Sequence, residues 1–422
     1  MNIFLTIVPS LLWLIISYYV YQQYHKKGFG NTFILLHGYR LLFFCIQLLI
    51  FEYTYYNQID SVSYQQKLSV LLIDFIHYPF DVVHFLLDDY DQMQIPETLI
   101  KYLQVQPRVA FFLKILLPFY FISAGNGIIC GLWLTLFGTV CFMNFLSIEN
   151  ERSDFKIWLL VLFVPSITFW TVGLIKEAFV IPVFFLMYYL FRKAEAKAFK
   201  DIYSILFMVV LIYITWNIKY YYIAIFLLAG ILHVFMKSNV HISFRLVIGT
   251  LISVLIFLGI IGLLHPNLIV NKIPEVIYQS YQSTCKLPSF SDCISFSLDG
   301  SWMSIIENIP KASVQVFYCP TFLQLHNKSS IFAGIESHAL LLLFVHVTYR
   351  WVFGKIVMHK EHLFWLFFIM LCGSLLLMAS PNIGSFSRYR IIYLPAFCYI
   401  LFKSIELPNW IHLIFLKYLK KE

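Results

Sequence analysis

Long, uninterrupted apolar runs constrain this sequence more than any motif in it. Hydropathy and flanking charges mark off residues 3–22, 32–56, 109–122, 127–146, 158–170, 173–191, 202–216, 222–235, 246–264, 339–353, 363–378 and 391–402. A membrane-crossing helix needs about 20 mostly apolar residues, and a bilayer leaves every backbone polar group to be satisfied inside the protein. A regular outer-membrane barrel does not fit, because barrel strands alternate polar and apolar with period two. Composition agrees: 60% of the 422 residues are hydrophobic and 12% charged, against about 25% charged in a soluble domain. A soluble enzyme, a disordered chain and a disulfide scaffold are excluded. The expected fold is all-α, a polytopic transmembrane helical bundle of about 11–13 spans. Residues 1–422 form one integral membrane domain. Two external regions interrupt it, 57–108 and 265–338, and 406–422 read as a cytoplasmic amphipathic tail with a basic end.

Charge sets the orientation. The net charge of +8 is the positive-inside excess of a polytopic protein. No basic soluble arm is present, which argues against a nucleic-acid partner. Arg192, Lys193, Lys197 and Lys200 crowd one run end; Lys237 with Arg245, and Arg350 with Lys355 and Lys360, mark others. These ends, with Lys26 and Lys27, are assigned to the cytoplasm. The opposite face then carries 57–108, the turn 217–221, the loop 265–338 and the turn 380–390. Five apolar runs lie between Lys27 and Arg192, where an even number of crossings is needed. Either one is re-entrant, and 158–170 is short enough for a half-helix, or 57–108 contains a crossing. Cys285 and Cys293 lie in the long loop and suit a disulfide in an oxidising compartment, with free thiols as the alternative. Ser301-Trp302 and residues 305–309 suit a short interfacial helix.

Ionisable residues at membrane depth cost about 2.5–3.5 kcal/mol each on insertion, so they are the default functional candidates. Asp60 follows the second run and heads a carboxylate-rich stretch with Asp74, Asp81, Asp88, Asp89 and Asp91. A carboxylate there can act as general base or bind Mg²⁺ or Mn²⁺, which prefer oxygen ligands; the alternative is a solvated acidic loop. No residue is assigned as a metal ligand. The string from Pro165 to Glu177 sets Trp170 between a Pro and Gly173 and ends in Lys176-Glu177. A broken helix there can line a polar cavity; the alternative is an interfacial ion pair with Trp170 in an aromatic belt. Lys219 and Tyr220 sit in the turn 217–221, where the alternative is a snorkelling lysine. Arg388 and Arg390 lie outside, against the positive-inside bias, and Arg presents a fork suited to phosphate; the alternative is lipid phosphate. Together these groups describe an outer-face cavity in which cations hold a pyrophosphate and a carboxylate activates a sugar hydroxyl.

The element Asp60-x-x-x-Tyr64, the string Pro165-Ser166…Phe169-Trp170…Gly173…Lys176-Glu177, and Ser387-Arg388-Tyr389-Arg390 before a Pro395-containing span resemble bacterial envelope-polysaccharide membrane proteins. The resemblance is to multi-span GT-C-type glycosyltransferases and to Wzy-like and EpsG-like polymerases. It implies an enzyme of the bacterial inner membrane that moves a sugar or oligosaccharide from a polyprenyl-(pyro)phosphate donor to a glycan or lipid acceptor at the outer face. It carries over Asp60 as the catalytic or metal-binding carboxylate of the first external loop. On the residues' own chemistry Asp60 or Glu177 is the catalytic base, and Lys176, Trp170, Lys219, Tyr220, Arg388, Arg390 and Tyr64 are the substrate-binding groups. The sequence departs from the family in lacking an Asp-x-Asp at Asp60, which has Ile59 before it. Asp89-Tyr90-Asp91 comes much later, so a metal-free mechanism stays open. The competing reading is a transporter or flippase of lipid-linked sugars. Such proteins pair broken helices in matching halves, and the sequence offers one candidate, around Pro165–Gly173.

Overall fold

The computed structural model describes residues 3–54, 60–77, 79–87, 107–150, 154–237, 244–286, 293–320, 328–354, 356 and 360–405. Among them every regular element is helical, and extended backbone pairs only as an isolated bridge between Cys293 and Asn382. The all-α expectation holds. Four of the described helices are long and apolar enough to cross a membrane, over Gly30–Phe51, Gly127–Glu149, Ile202–His233 and Glu361–Ala379. The chain divides into two compact units, built on Met1–Lys219 and Tyr220–Leu407.

In the first unit α1 (Ile3–His25), α2 (Gly30–Thr54), α5 (Pro107–Ile122), α6 (Gly127–Glu149) and α9 (Lys176–Ala196) are the long elements. The α6–α9 pair is the most extensive helix contact, and α2 lies against α6. Small and hydroxyl residues of α6 face inward: Gly127, Gly131, Thr135, Gly138 and Thr139 are all buried. They let neighbours approach; a Cβ on Gly131 would meet the Phe44 ring at 2.7 Å. Meanwhile Ile34, Leu35, Leu42 and Leu49 of α2 point outward and are about half exposed. Small residues inside and large apolar ones outside is the packing of helices in lipid. Phe142, Phe145 and Phe185 close the core edge to face, with centroids 4.8–5.0 Å apart.

Three sequence expectations change. The described part of 57–108 is not a polar loop but two helices, α3 (Asp60–His77) and α4 (Pro79–Leu87), with α3 packed on α5 through Tyr64, Leu68 and Leu71. Run 158–170 is not one helix. It is α7 (Phe155–Leu162), a break at Phe163-Val164, and α8 (Pro165–Phe169). Eight residues of α7 rise about 12 Å, short of a bilayer core, so the run forms two short helices and not one continuous one. Runs 202–216 and 222–235 belong to one element, α10 (Ile202–Lys237), interrupted by non-helical Lys219 (φ −150°, ψ 75°) rather than by a turn.

The second unit contains the rest of α10, α11 (Phe244–Leu264), α12 (Ile273–Lys286), α13 (Trp302–Tyr318), α14 (Lys328–Val352), α15 (Lys360–Ala379), α16 (Ile383–Tyr389) and α17 (Leu394–Lys403). Cys285 and Cys293 form the expected disulfide, Cα atoms 5.9 Å apart. Directly after it, Ile294 N donates to Pro381 O at 3.1 Å, tying this segment to the break between α15 and α16. The region 265–338, expected as an external loop, holds α12 and α13, both packed on α15. Residues 406–422 and Asp88–Asp91 lie outside the described residues.

Candidate functional site

The broken segment between α7 and α9 is the centre of polar structure in the first unit. Pro165 at the first position of α8 drives Val164 to extended backbone (ψ 125°), as a residue before proline prefers. Gly173 has φ +76°, and a Cβ there would collide with the Gln47 side-chain oxygen. Both the backbone and the space demand glycine. Breaking a helix strands carbonyls, and four of them find side-chain donors. Thr168 Oγ1 donates to Leu162 O at 2.8 Å, and Tyr39 OH to Phe163 O at 2.8 Å. Gln47 Nε2 donates to Phe169 O at 2.8 Å, and Arg40 Nη2 to Thr171 O at 2.6 Å. Tyr39, Arg40 and Gln47 all come from α2, so one helix seals the break.

Arg40 is 1% exposed. Its Nε donates to Thr139 Oγ1 at 3.2 Å and its Nη1 to Thr171 Oγ1 at 2.9 Å. The guanidinium carbon lies 4.7 Å from the Phe142 ring centroid. Among the described residues no carboxylate pairs with it. The Thr139 hydroxyl spends its proton on Thr135 O at 2.9 Å. It therefore accepts from Arg40, and the contact with His37 Nδ1 at 3.0 Å assigns the proton to that nitrogen. Gly173 N completes the network on Thr135 Oγ1 at 3.2 Å. Sequence reasoning missed Arg40, His37, Gln47, Thr139 and Thr171. The signal was present: Arg40 is an ionisable residue inside the apolar run 32–56, with His37 and Gln47 three before and seven after it on one helical face.

Beyond the break, Lys176 opens α9 half-buried, and Glu177 is buried in its first turn. No side chain caps this helix start. The Glu177 carboxylate pairs with Lys219 Nζ, their side chains 1% and 6% exposed. Of the expected site residues, these two are brought into direct contact. The pair occupies the Glu177 carboxylate, so it does not stand open to an acceptor. Trp170 is half-buried with its ring edge-on to Phe169 at 5.0 Å. Tyr64 is buried and edge-on to Phe112 at 5.3 Å, a core aromatic of α3.

A cleft of about 470 Å³ opens beside the break. Phe44 and Leu48 of α2, Val62 of α3, Ile128 and Leu174 wall it, and Gln47, Ser61 and Gln65 are its polar members. Asp60 immediately precedes Ser61 as the first residue of α3. Leu174 stands two residues before Lys176. Among the described residues no three His, Cys, Asp or Glu side chains come together as a metal-binding group, so none is assigned to Mg²⁺ or Mn²⁺.

Tyr220, Arg388 and Arg390 belong to the second unit. Tyr220 stacks on His265 at 3.6 Å and accepts from Asn267 Nδ2 at 3.1 Å. Arg390, 2% exposed, pairs with Glu336 at 3.2 Å and donates to Ser337 Oγ at 2.8 Å and Cys319 O at 3.1 Å. It is an internal buttress, not an open phosphate fork. Arg388 is half-buried, its guanidinium 5.2 Å from the Tyr389 ring centroid. Compared with protein-family models, curated proteins and solved structures, the chain matches none, so its function is read from its own residues.

Proposed function

We propose that the chain is an integral membrane glycosyltransferase or polysaccharide polymerase that uses a polyprenyl-(pyro)phosphate-linked donor and a glycan or lipid acceptor. The observation that carries this reading is the cleft of the first unit. It joins apolar walls, suited to a lipid chain, to the polar Gln47 of α2 and Ser61 and Gln65 at the start of α3, with Leu174 at the end of the broken segment in its wall. Its volume lies in the ~300–1,000 Å³ range of ligand pockets. Asp60, one residue from the cleft lining, is the general base. It takes the proton of the acceptor hydroxyl as that oxygen bonds to the anomeric carbon and the carbon–oxygen bond to pyrophosphate breaks. Lys176 and the uncapped N-terminus of α9 hold the charge that develops on the departing pyrophosphate. Glu177 and Lys219 brace that helix start as a buried pair. The bilayer setting and the outer face of a bacterial inner membrane belong to the same proposal.

A second reading has its own support. The second unit also interrupts its helices: α15 ends at Ala379, α16 is a seven-residue helix, and a 3₁₀ turn at Arg390–Ile392 precedes α17. The sequence offered one broken helix; among the described residues both units contain interrupted helices, and transporters pair such breaks between their halves. Proteoliposomes loaded with a labelled polyprenyl-pyrophosphate oligosaccharide and an acceptor separate the readings. Transfer changes the mass of the labelled glycan and frees the polyprenyl carrier. Movement of donor across the bilayer with its mass unchanged would replace the enzyme by a transporter.

A further inference from the structure

Helix α13 is built inside out for water. Its inward face carries Ser304, Asn308 and Ser313, all buried, beside Ile305, Ala312 and Val316. Its outward face carries Trp302, Met303, Ile306 and Val314, which are 40%, 64%, 56% and 58% exposed. The inward polar groups are bonded: Asn308 Nδ2 to Ser297 O at 3.0 Å and Ser304 O at 2.8 Å, and Ser313 Oγ to Ser374 Oγ at 3.0 Å. Satisfied polar groups inside and bare apolar groups outside is the arrangement that hydrocarbon favours and water penalises.

The helix α13 lies against tells what covers that stripe. α15 is one of the helices long and apolar enough to cross a membrane. Its own outward residues Leu363, Phe367 and Leu371 recur every four positions. The chain meets the C-terminal end of α15 where Ile294 N bonds Pro381 O. α13 packs on α15 through its C-terminal half, where Ser313 Oγ meets Ser374 Oγ at 3.0 Å and Val316 abuts Gly373, at which a Cβ would meet the Val316 Cγ1 at 2.6 Å. Gly373 lies six residues inside the end of α15, a depth of about 9 Å at 1.5 Å per residue. At that depth a helix C-terminus must find partners in protein. The Cys319 carbonyl has them in Arg390 Nη1 at 3.1 Å and Ser337 Oγ at 3.4 Å. Lys311, the cation on the exposed side, turns back to the Ser295 carbonyl, towards the polar end, as a snorkelling lysine does. Glu307, also exposed on this face, lies in the first two turns, five residues after Trp302.

We propose that α13 is a re-entrant helix whose Trp302–Met303–Ile306–Val314 stripe contacts lipid acyl chains, with Trp302 at the headgroup level and Cys319 at the inner tip. This extends the short interfacial helix expected over 305–309 into a membrane-penetrating one. It rests on the membrane reading given above, not on the transferase chemistry. Single cysteines test it in a Cys45→Ser background, with a membrane-impermeant maleimide applied to vesicles opened by freeze–thaw, so that both faces are reachable. Ile306→Cys and Val314→Cys probe α13, Phe367→Cys reports lipid on α15, and Glu275→Cys reports water on α12. The expected result is that the α13 cysteines react at least ~10-fold more slowly than Glu275→Cys, as Phe367→Cys does. Reaction of both at the Glu275→Cys rate, with Phe367→Cys still protected, overturns the re-entrant helix alone. Fast reaction at Phe367→Cys as well overturns the membrane reading beneath it. Protection that disappears on dilution into excess lipid would assign the stripe to a second copy of the chain, and also overturns the proposal.

Discussion

Arg40 illustrates what a buried charge does in this protein. It has no carboxylate partner among the described residues, yet three of its nitrogens are bonded, to Thr139 Oγ1 and to the hydroxyl and carbonyl of Thr171. Arg390 does the same for Cys319 in the second unit, with Glu336 as counter-ion. Arg40→Met should therefore destabilise by about 3 kcal/mol, since a buried polar group left unsatisfied costs about 1–3 kcal/mol and two lose their donor. A fall in the thermal unfolding midpoint in detergent checks it; an unchanged midpoint would remove Arg40 from this role. The Glu177–Lys219 pair makes a different prediction. Glu177→Gln or Lys219→Met alone should cost about 3–5 kcal/mol, because each strands a buried charge, whereas the double substitution should be much milder. Additive losses in that cycle would mean the two side chains are not coupled. Glu177 and Lys219 were legible in the sequence as ionisable residues near apolar runs. Their partnership was not, because 42 residues separate them and only the fold brings them together. Arg390 was legible as a misplaced cation but misread in role, since Glu336 is remote in sequence.

Among the elements, breaks matter more than continuous helices. The break before α9 was legible because Pro165 and Gly173 act locally, through φ/ψ preference alone. The packing that seals it was not, since α2 supplies the donors from more than 120 residues away. Gly173→Ala should cost about 1–2 kcal/mol for the left-handed backbone alone, plus the collision with Gln47, and Gln47→Ala should restore only the second part. Full rescue by Gln47→Ala would show that the backbone conformation is not the constraint. The junction of α9 and α10 carries a pH-sensitive cap. The Lys197 hydrogen bond, then the Ser204 backbone N–H, hold the Asp201 carboxyl below the usual carboxylate range. Its folded pKa is depressed, so its stabilisation is present above the unfolded value of about 3.9. That stabilisation is lost as pH falls through the folded pKa. Protection from hydrogen exchange at the start of α10, taken relative to the intrinsic amide rate at each pH, should fall on acidification below about pH 4, and Asp201→Asn should remove that dependence. An acid response unaltered in Asp201→Asn would place the titrating group elsewhere. The helices α3, α4 and α12 escaped the sequence reading, and α13 was expected only as a short helix over 305–309, for one reason: shorter, mixed-polarity helices carry no long apolar run to announce them.

At the scale of the whole molecule, both units bury hydroxyls and a charge pair, Glu177–Lys219 in one and Glu336–Arg390 in the other, and leave many large apolar side chains exposed. That pattern suits the lipid setting proposed for the apolar runs, and under the proposed function the cleft walled by α2 and α3 is where a lipid-linked substrate would meet polar groups. The measurement that tests this account most directly is release of polyprenyl pyrophosphate by purified protein in lipid, given a polyprenyl-pyrophosphate oligosaccharide and an acceptor, with and without EDTA. The account predicts release that needs acceptor and falls at least ~100-fold in Asp60→Asn, the loss expected for a general base, with a comparable drop in Lys176→Met while both variants still bind donor. EDTA sensitivity would add a metal to that chemistry. Release that is unchanged in Asp60→Asn and Lys176→Met, or no release from protein that binds donor, would contradict it.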